Sequence, residues 1–339
     1  MAQFHAENER MKRQYLEWLR DADGKDEKTL DQVAANLRDF EMALGVKPFK
    51  AFHRDWGRRY KMHLEKCRNA RTGDPLSLTT RDARLSQVKA FFKWLAYQPG
   101  YKSRISIPDI EYFNNNAKDA RAAHAQRPIR YPSIAQCDHA FRLMSEDDDV
   151  ERRDKAIFSL FMMTGARAGA LTSLRLGHVD LVEGLIFQDG RDVNTKASKT
   201  FESWFLPVAP MYRQHFQSWV EYLRDEKLFG PQDALFPKLI LDMSEGKFRR
   251  AGMDREPYAN SQKANTVFRG AFLSAGLHPF SPHSVRKTLA MLGDELCQTM
   301  EARKAWSQNL GHENLATTVS AYMPVSRERQ ASIIKNMSG

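Results

Sequence analysis

Apolar residues recur at helical spacing along most of this 339-residue chain, and this periodicity restricts the possible folds more than any other feature. Only the stretch from Leu185 to Val208 contains short runs typical of strands and turns. Strands and helices do not alternate in the order that builds a parallel nucleotide-binding sheet. The pattern therefore predicts a mainly α-helical fold with one small antiparallel β-sheet.

The first 110 residues or so contain four amphipathic segments, which predict a helical N-terminal domain over residues 1–113. Thr29 and Thr80 are the expected N-caps of the second and fourth helices, and Gly45 is the expected C-terminal stop of the second. The apolar face of the first helix is expected to contain Met11, Tyr15, Trp18 and Leu19. The predicted helices are 7–20, 29–44, 52–68 and 80–97.

Residues 114–132 lose helical periodicity and indicate a basic interdomain linker. A basic linker can lie along a phosphate backbone or can be a plain solvated tether, and both interpretations stay open. A second domain is expected over residues 133–339, with Ser133 capping its first helix. Its predicted helices are 133–144, 153–163, 168–174, 210–224, 260–275, 283–296, 303–309 and 326–335, and its predicted strands are 185–187, 192–199 and 203–208.

The composition is typical of a soluble globular protein, with 42% hydrophobic and 28% charged residues. The longest apolar run, 156–163, is too short to span a bilayer, and the N-terminus has no apolar signal core. Cys67, Cys137 and Cys297 are isolated in sequence, so neither a disulfide framework nor a zinc site is expected. These features favour a protein of the cytoplasm.

The net charge of +10 is concentrated in one block of the chain. Residues 51–130 hold 17 Lys/Arg and 7 Asp/Glu, whereas the segments on either side are close to neutral. A solvated surface is the simple explanation, but the concentration favours a polyanion-binding surface. The expected contacts to a polyanion are Arg81, Lys89 and Lys93, which lie off the apolar stripe of the fourth helix, together with Arg127 of the linker.

Several residues of the second domain have side chains suited to phosphate chemistry. Arg167 follows the turn Thr164-Gly165, His283 and Arg286 lie one helical turn apart, and Leu310-Gly311-His312 precedes Tyr322. Arginine offers a fork of donors to phosphate oxygens, histidine or lysine can deliver a proton, and tyrosine can attack phosphorus. Taken singly, each has an ordinary structural explanation: a salt-bridged arginine, surface histidines or a packed tyrosine.

Together and in this order, these motifs resemble the tyrosine recombinases, also called the phage integrase family. The resemblance covers the whole chain and implies a helical, SAM-like core-binding domain followed by a mixed α+β catalytic domain. It implies that Arg167 and Arg286 clamp the phosphate, His283 is the general acid/base and His312 hydrogen-bonds the phosphate. Tyr322 would be the nucleophile, and Lys196 would protonate the 5′-hydroxyl.

The chain departs from the family pattern at a few positions. Ala170 stands where an acidic residue is common, and Lys287 stands where histidine is common. Tyr322 follows His312 by ten residues, one more than expected. Lys199 is an alternative to Lys196 and is otherwise an expected DNA contact. Lys196 is preferred because the second lysine of such a pair more often marks the returning strand.

The resemblance implies a site-specific recombinase of a phage, plasmid or other mobile element, acting on DNA near the bacterial nucleoid. Such an enzyme exchanges strands through a 3′-phosphotyrosine and a Holliday junction, without a cofactor or metal. It works as a homotetramer on two DNA sites, with exchange of the C-terminal helix between subunits. Two alternatives stay open: a DNA-binding regulator that has lost catalysis, and a type IB topoisomerase or hairpin-forming resolvase.

Overall fold

A computed structural model describes residues 4–70, 72–115, 130–195, 199–244, 247–312 and 334 of the protein, with the backbone alone for the described part of 241–251. The chain divides into two compact units, Met1–Pro128 and Ile129–Gly339. Each unit has its own hydrophobic core. Within the described ranges, no helix is long and apolar enough to cross a membrane.

The first unit consists of helices that pack around aromatic side chains. Phe40 lies at the centre, with its ring 5.0 Å from that of Tyr60 and 5.5 Å from that of Phe92. Such edge-on pairs contribute about 0.5–1.5 kcal/mol beyond the area that they bury. The helices are α1 (Ala6–Asp21), α2 (Glu27–Ala43), α3 (Asp55–Lys66), α4 (Leu78–Leu95) and α5 (Ile107–Ile110), with 3₁₀ turns at Phe49–Ala51 and Glu111–Phe113.

The N-caps of α2 and α4 differ from the sequence-based predictions. The carboxylate of Asp26 accepts a hydrogen bond from the backbone N–H of Thr29 at 2.7 Å, and the Ser77 hydroxyl accepts one from Thr80 at 3.1 Å. Both threonines therefore lie inside the first turn, and their prediction as caps was wrong. Gly45 does end α2 as predicted, with a φ of +77° that a glycine adopts without strain.

Trp18 is 43% exposed, whereas the predicted neighbours on its helix face, Met11, Tyr15 and Leu19, are buried. The indole lies at the edge of the apolar stripe and stacks on the ring of Tyr15 with centroids 5.9 Å apart. Trp18 thus lies at the edge of the predicted face, since helical spacing does not determine how far an apolar stripe is covered.

The second unit is also mainly helical, which confirms the predicted fold class. Its central helix is buried from Ala156 to Thr164, and Phe158 in this helix stacks on Phe268 with ring centroids 4.5 Å apart. The helices are α6 (Ile134–Arg142), α7 (Asp149–Thr164), α8 (Ala168–Ser173), α9 (Pro210–Glu221), α10 (Gln262–Ser274), α11 (Pro282–Leu296) and α12 (Met300–Asn309), with a 3₁₀ turn at Leu176–His178 and a π-helical turn at Tyr222–Glu226. Ser133 caps α6 as predicted.

The described strands form two antiparallel sheets. One is a three-stranded sheet in the order β1 (Val179–Asp180), β2 (Leu185–Gln188), β3 (Phe201–Trp204). Its register pairs Val179 with Ile186, and Ile186 with Ser203. The other sheet is a hairpin of β4 (Leu239–Ser244) and β5 (Lys247–Met253), which the sequence analysis did not predict.

Two predicted strands in this region have different bounds. Residues 192–195 form a turn and irregular structure, because the N–H groups of Asp192 and Val193 donate to the carbonyl of Asp189 at 3.1 and 2.7 Å. The remainder of the predicted strand, 196–198, lies outside the described residues. The last strand ends at Trp204 rather than Val208, since the N–H of Leu206 donates to Met163 of α7 at 2.6 Å.

Helix α12 packs closely on α11. Gly293 on α11 lies against Trp306, and a Cβ at that position would be 2.4 Å from the indole ring. The indole N–H donates to the carbonyl of Leu289, also on α11, at 3.1 Å. Glycine at position 293 therefore allows the close approach that places the segment Leu310–His312 beside α11.

Candidate active site

Arg167 lies at the junction between α7 and α8. Helix α7 ends at Gly165, whose φ of +60° is left-handed and whose N–H donates to Phe161. The hydroxyl of Thr164 accepts a hydrogen bond from the N–H of Ala166 at 3.2 Å, which closes the turn. Arg167 then occupies the N-cap position of α8. The Thr-Gly turn thus fixes the backbone from which the guanidinium extends, as the sequence predicts.

Arg286 lies on α11 and is only 4% exposed. Its guanidinium donates to the carbonyl of Gly165 in the Arg167 turn and to the carbonyl of Leu310 after α12. It also lies 3.0 Å from Nε2 of His312. One buried side chain therefore joins three segments that are far apart in sequence.

Arg167 reaches the same segment after α12. Both of its terminal nitrogens donate to the carbonyl of Gly311, at 3.3 and 3.2 Å. The two guanidinium groups thus contact the carbonyls of consecutive residues, Leu310 and Gly311. Two cations held so close together and partly removed from water favour an anion between or beside them.

His312 is kept neutral by its surroundings. Burial, together with the charges of Arg286 and Arg167, lowers its pKa from 6.5 to about 4. Since arginine can only donate, Nε2 of the neutral ring must accept from Arg286, and the ring proton is therefore on Nδ1. Burial, with a further contribution from Arg286, also lowers the pKa of His283, so both histidines favour the neutral form.

The segment Gly311–His312 is held by β3. Gly311 has a φ of +70°, and a Cβ there would lie 2.5 Å from the ring of Phe201. The side chain of Asn309 accepts from the N–H of Trp204 at 2.6 Å and donates to its carbonyl at 2.9 Å. The Ser203 hydroxyl adds a hydrogen bond to the carbonyl of Asn309 at 2.9 Å. A strand edge therefore positions the histidine.

Sequence analysis did not identify Asn309 or Phe201 as parts of the site. Both residues act through contacts between β3 and the end of α12, more than 100 residues apart in sequence. No local pattern signals such a contact.

An open cavity of about 410 Å³ lies beside His312. Lys199 lines it, so this lysine lies near His312. The hydroxyl of Thr195 donates to the backbone carbonyl of Lys199 at 2.8 Å. The cavity is lined by Lys199, Thr200, Phe201, Gln308, Gly311 and His312.

Several predicted site residues lie outside the described residues. They include Lys196 and Tyr322, the expected acid and nucleophile, and Arg127 of the linker. Of the predicted C-terminal helix 326–335, only Ile334 is described, and it is helical and exposed. The structure thus brings together Arg167, Arg286 and His312, and it places His283 one turn before Arg286 on α11.

Two positions that depart from the usual pattern are buried. Ala170 is 1% exposed in α8. Lys287 is 6% exposed, and its ammonium lies 4.9 Å from the centroid of the Tyr131 ring. Such a cation–π contact is an ordinary way to accommodate a buried lysine.

The basic residues predicted on α4 already have partners within the first unit. Arg81 donates to the carbonyl of Leu76 at 3.0 Å. Lys89 donates to Glu111 and to Asn114, both at 2.7 Å, whereas the ammonium of Lys93 lies 3.5 Å from Glu111. Lys93 is the more exposed of the two lysines, at 50% against 19% of the side chain.

The family model for the "Phage integrase family" matches residues 136–329, which are more than half of the chain. The chain belongs to the phage integrase family. This match confirms the family that the order of motifs predicted, and it covers Arg167, His283, Arg286 and His312.

Curated relatives in this family include tyrosine recombinases named XerC. That of Pseudomonas putida (strain W619) is 29% identical over 193 residues, which are 56% of this chain and 55% of the relative. The chain thus spans about half the length of that relative. The XerC of Thermodesulfovibrio yellowstonii is 27% identical over 245 residues, 71% of this chain and 70% of the relative.

Solved structures support the same fold. A lambda integrase (75–356) dimer bound to a COC′ core site has a TM-score of 0.61 at 13% identity, covering 93% of this chain and 95% of that one. The XerH site-specific recombinase bound to palindromic difH substrate also has a TM-score of 0.61, at 14% identity, covering 92% of this chain and 80% of that one. At such identities the likeness establishes the fold alone.

Proposed function

We propose that this chain is a site-specific DNA recombinase that cleaves and rejoins DNA through a 3′-phosphotyrosine. The observation that carries the proposal is the convergence of Arg167 and Arg286 on the consecutive carbonyls of Leu310 and Gly311, beside a neutral His312. A guanidinium has five donors in a fork that matches phosphate oxygens. Two guanidinium groups, each extending from a rigid backbone segment, can stabilise the negative charge of a pentavalent phosphate.

In the proposed reaction, the phenol oxygen of Tyr322 attacks the scissile phosphorus and loses its proton to His283. A bond from tyrosine to phosphorus forms, and the bond from phosphorus to the 5′-oxygen breaks. Lys196 gives a proton to the departing 5′-oxygen, which becomes a hydroxyl. Since one phosphoester replaces another, bond energy is conserved, and the 5′-hydroxyl of a partner strand can reverse the step with no ATP.

The neutral state of His283 supports its part in this scheme. A general base must be unprotonated before it accepts a proton, and the lowered pKa of His283 keeps it so at neutral pH. His312, also neutral, is held against Arg286 and would hydrogen-bond the phosphate rather than add a third positive charge.

The two units have different roles in this proposal. The basic block 51–130 would hold the DNA backbone through residues such as Lys93 and Arg127, while the second unit performs the chemistry. The solved relatives bound to their core site and to difH are consistent with double-stranded DNA as the partner. A tetramer on two DNA sites, with exchange of the C-terminal helix and a Holliday junction between cleavage rounds, completes the proposal.

A suicide substrate tests the nucleophile. DNA selected for binding to the protein, and nicked near the crossover point, should trap a covalent adduct because the short 5′ fragment diffuses away. Tyr322→Phe should bind this DNA with unchanged affinity and form no adduct. Tyr97→Phe, a change at an exposed tyrosine of the first unit, is the control and should form the adduct at the normal rate.

Other outcomes would assign a different function. If the unmutated protein binds the DNA tightly and forms no covalent adduct, it is a DNA-binding regulator that has lost catalysis. Relaxation of supercoiled plasmid without recombinant product would instead identify a type IB topoisomerase. An adduct that survives Tyr322→Phe would move the nucleophile to another residue.

A sulfur-substituted substrate separates the two candidate lysines. Lys196→Ala should slow cleavage on the order of a hundredfold or more, as loss of a general acid does, with little change in DNA affinity. A 5′-thio leaving group should restore the rate, since a thiolate leaves without a proton. If Lys199→Ala shows the rescue instead, Lys199 is the general acid.

A further inference from the structure

Three side chains with different metal-ligating atoms meet in the first unit, away from the candidate active site. His63 lies in the last turn of α3, Cys67 follows one turn later, and Asp39 lies on the neighbouring α2. Nε2 of His63 lies 3.1 Å from Oδ1 of Asp39 and 3.3 Å from Sγ of Cys67. All three ligand atoms lie within 4.8 Å of one another.

The other carboxylate oxygen of Asp39 is engaged by outer partners. The hydroxyl of Tyr60 donates to Oδ2 at 3.0 Å, and Nη1 of Arg84 donates to the same oxygen at 3.2 Å. The ring of His63 also stacks on that of Tyr60, with centroids 5.9 Å apart. These contacts orient Oδ1 and Nε2 toward each other, as the hydrogen bonds around metal ligands do in metalloproteins.

The distances from Nε2 of His63 to the other two ligand atoms are close to those around a tetrahedral metal ion. Zn²⁺ bonds to nitrogen and oxygen at about 2.0–2.1 Å and to sulfur at about 2.3 Å, so tetrahedral angles separate N from O by about 3.3 Å and N from S by about 3.6 Å. The observed separations of 3.1 and 3.3 Å require an expansion of only a few tenths of an ångström.

We propose that Asp39, His63 and Cys67 bind one Zn²⁺, with water as the fourth ligand. A thiolate, an imidazole and a carboxylate together favour zinc over hard cations such as Mg²⁺ or Ca²⁺. Thiolate and carboxylate neutralise the charge of the ion, and Arg84 stays paired with the outer oxygen. The side chains of His63 and Asp39 are 35% and 30% exposed, so the ion can enter from solvent.

The site would fasten the end of α3 to α2. The backbone after Cys67 forms a short antiparallel bridge between Arg68 and Pro75, and the N–H of Leu76 donates to the carbonyl of Cys67 at 3.2 Å. Zinc at Cys67 would therefore anchor the connection that leads into α4, the helix that holds Lys89 and Lys93. The proposal departs from the sequence-based expectation of no zinc site, which considered only ligands close in sequence.

Cobalt substitution of the untagged full-length protein tests the site. After metal removal and dialysis against Co²⁺, one equivalent of Co²⁺ per chain should bind and give a thiolate-to-cobalt absorption band. Stoichiometric Zn²⁺ should abolish this band. Cys67→Ser should lack the band, whereas the matched control Cys297→Ser, a cysteine of the second unit, should retain it. Tyr60→Phe, which removes an outer partner, should weaken metal affinity on the order of tenfold.

Metal binding by the unmutated protein is by itself sufficient to refute the proposal. If it binds less than one equivalent of Zn²⁺ and shows no thiolate band with Co²⁺, the three residues form only a hydrogen-bonded cluster. A thiolate band of equal strength in Cys67→Ser would also show that Cys67 does not bind the metal. His63→Gln is a second ligand variant and should also lose the metal. Circular dichroism of each variant distinguishes loss of metal binding from loss of folding.

Discussion

His312 shows how single residues adapt to this site. It is 7% exposed beside two arginines, and burial, together with the charges of Arg286 and Arg167, lowers its pKa and keeps the ring neutral. A neutral histidine can serve as a hydrogen-bond partner for Arg286, and it can approach a phosphate without being held to it by charge. The same surroundings make the stability of the unit depend on pH.

At this scale we predict a loss of stability in acid that depends on His312. Its folded-state pKa of about 4 lies below the ordinary value of 6.5, so the unfolded chain takes up the proton more readily. The stability is complete above pH 6.5 and is lost as the pH falls toward 4, by about 3 kcal/mol in total. Urea unfolding of the second unit across this window measures the loss.

His312→Gln removes the titrating ring and should reduce this pH dependence, leaving the contributions of His178, His215 and His283, whose pKa values burial also lowers. The exposed His139 on α6 provides the control, and His139→Gln should keep the dependence of the natural sequence. If His312→Gln and the natural sequence lose stability equally, the protonation of His312 is not linked to unfolding.

At the scale of elements, the contact between β3 and the end of α12 determines the geometry of the site. Asn309 pairs with both backbone groups of Trp204, in the way that another strand would. Gly311 then passes under the ring of Phe201 in a left-handed conformation. The helix end is thus attached to the sheet on one side and to α11, through Trp306, on the other.

We predict that Asn309→Ala loosens this contact. Loss of the two hydrogen bonds to the backbone of Trp204 should lower the free energy of unfolding by about 1–3 kcal/mol. The rate of adduct formation with the suicide substrate should fall more than DNA affinity does, because His312 loses its fixed position. Lys304→Ala, at an exposed site on the same helix, should change neither quantity. Equal adduct rates in both variants would show that β3 does not position the site.

At the scale of the whole molecule, the excess positive charge and the candidate site lie in different parts of the chain. The excess of Lys/Arg lies in residues 51–130, while the arginines and histidines of the candidate site lie in the second unit. Part of the basic block is already neutralised locally, since Lys89 binds Glu111 and Asn114. The formal charge of the block therefore overstates the number of cations available to phosphates.

We predict a steep salt dependence of DNA affinity to which Lys93 contributes more than Lys89. Each phosphate contact contributes about 0.9 to the slope of log affinity against log salt concentration. Lys93→Ala should lower the slope by about that amount, whereas Lys89→Ala should lower it by clearly less, because Lys89 is held by its two partners. Titrations with duplex DNA over a range of salt concentrations measure both slopes, and equal slopes would refute the difference.

The sequence by itself determined the helices and the order of the motifs. Helical periodicity and the Ser133 cap act over a few residues, so a pattern of neighbours is enough to identify them. The same local reasoning was wrong at Thr29 and Thr80, where a better cap stands three residues earlier in each case. It also did not predict the β4–β5 hairpin, whose pairing depends on two segments meeting.

Only the tertiary structure decided which residues meet. Arg167 and Gly311 lie 144 positions apart, and Arg286 and Gly165 lie 121 apart. Asp39 reaches His63 from another helix, although nothing near either residue in sequence indicates it. Such contacts depend on how whole helices pack, through features such as Gly293 against Trp306, and packing is a property of pairs of surfaces that no local pattern records.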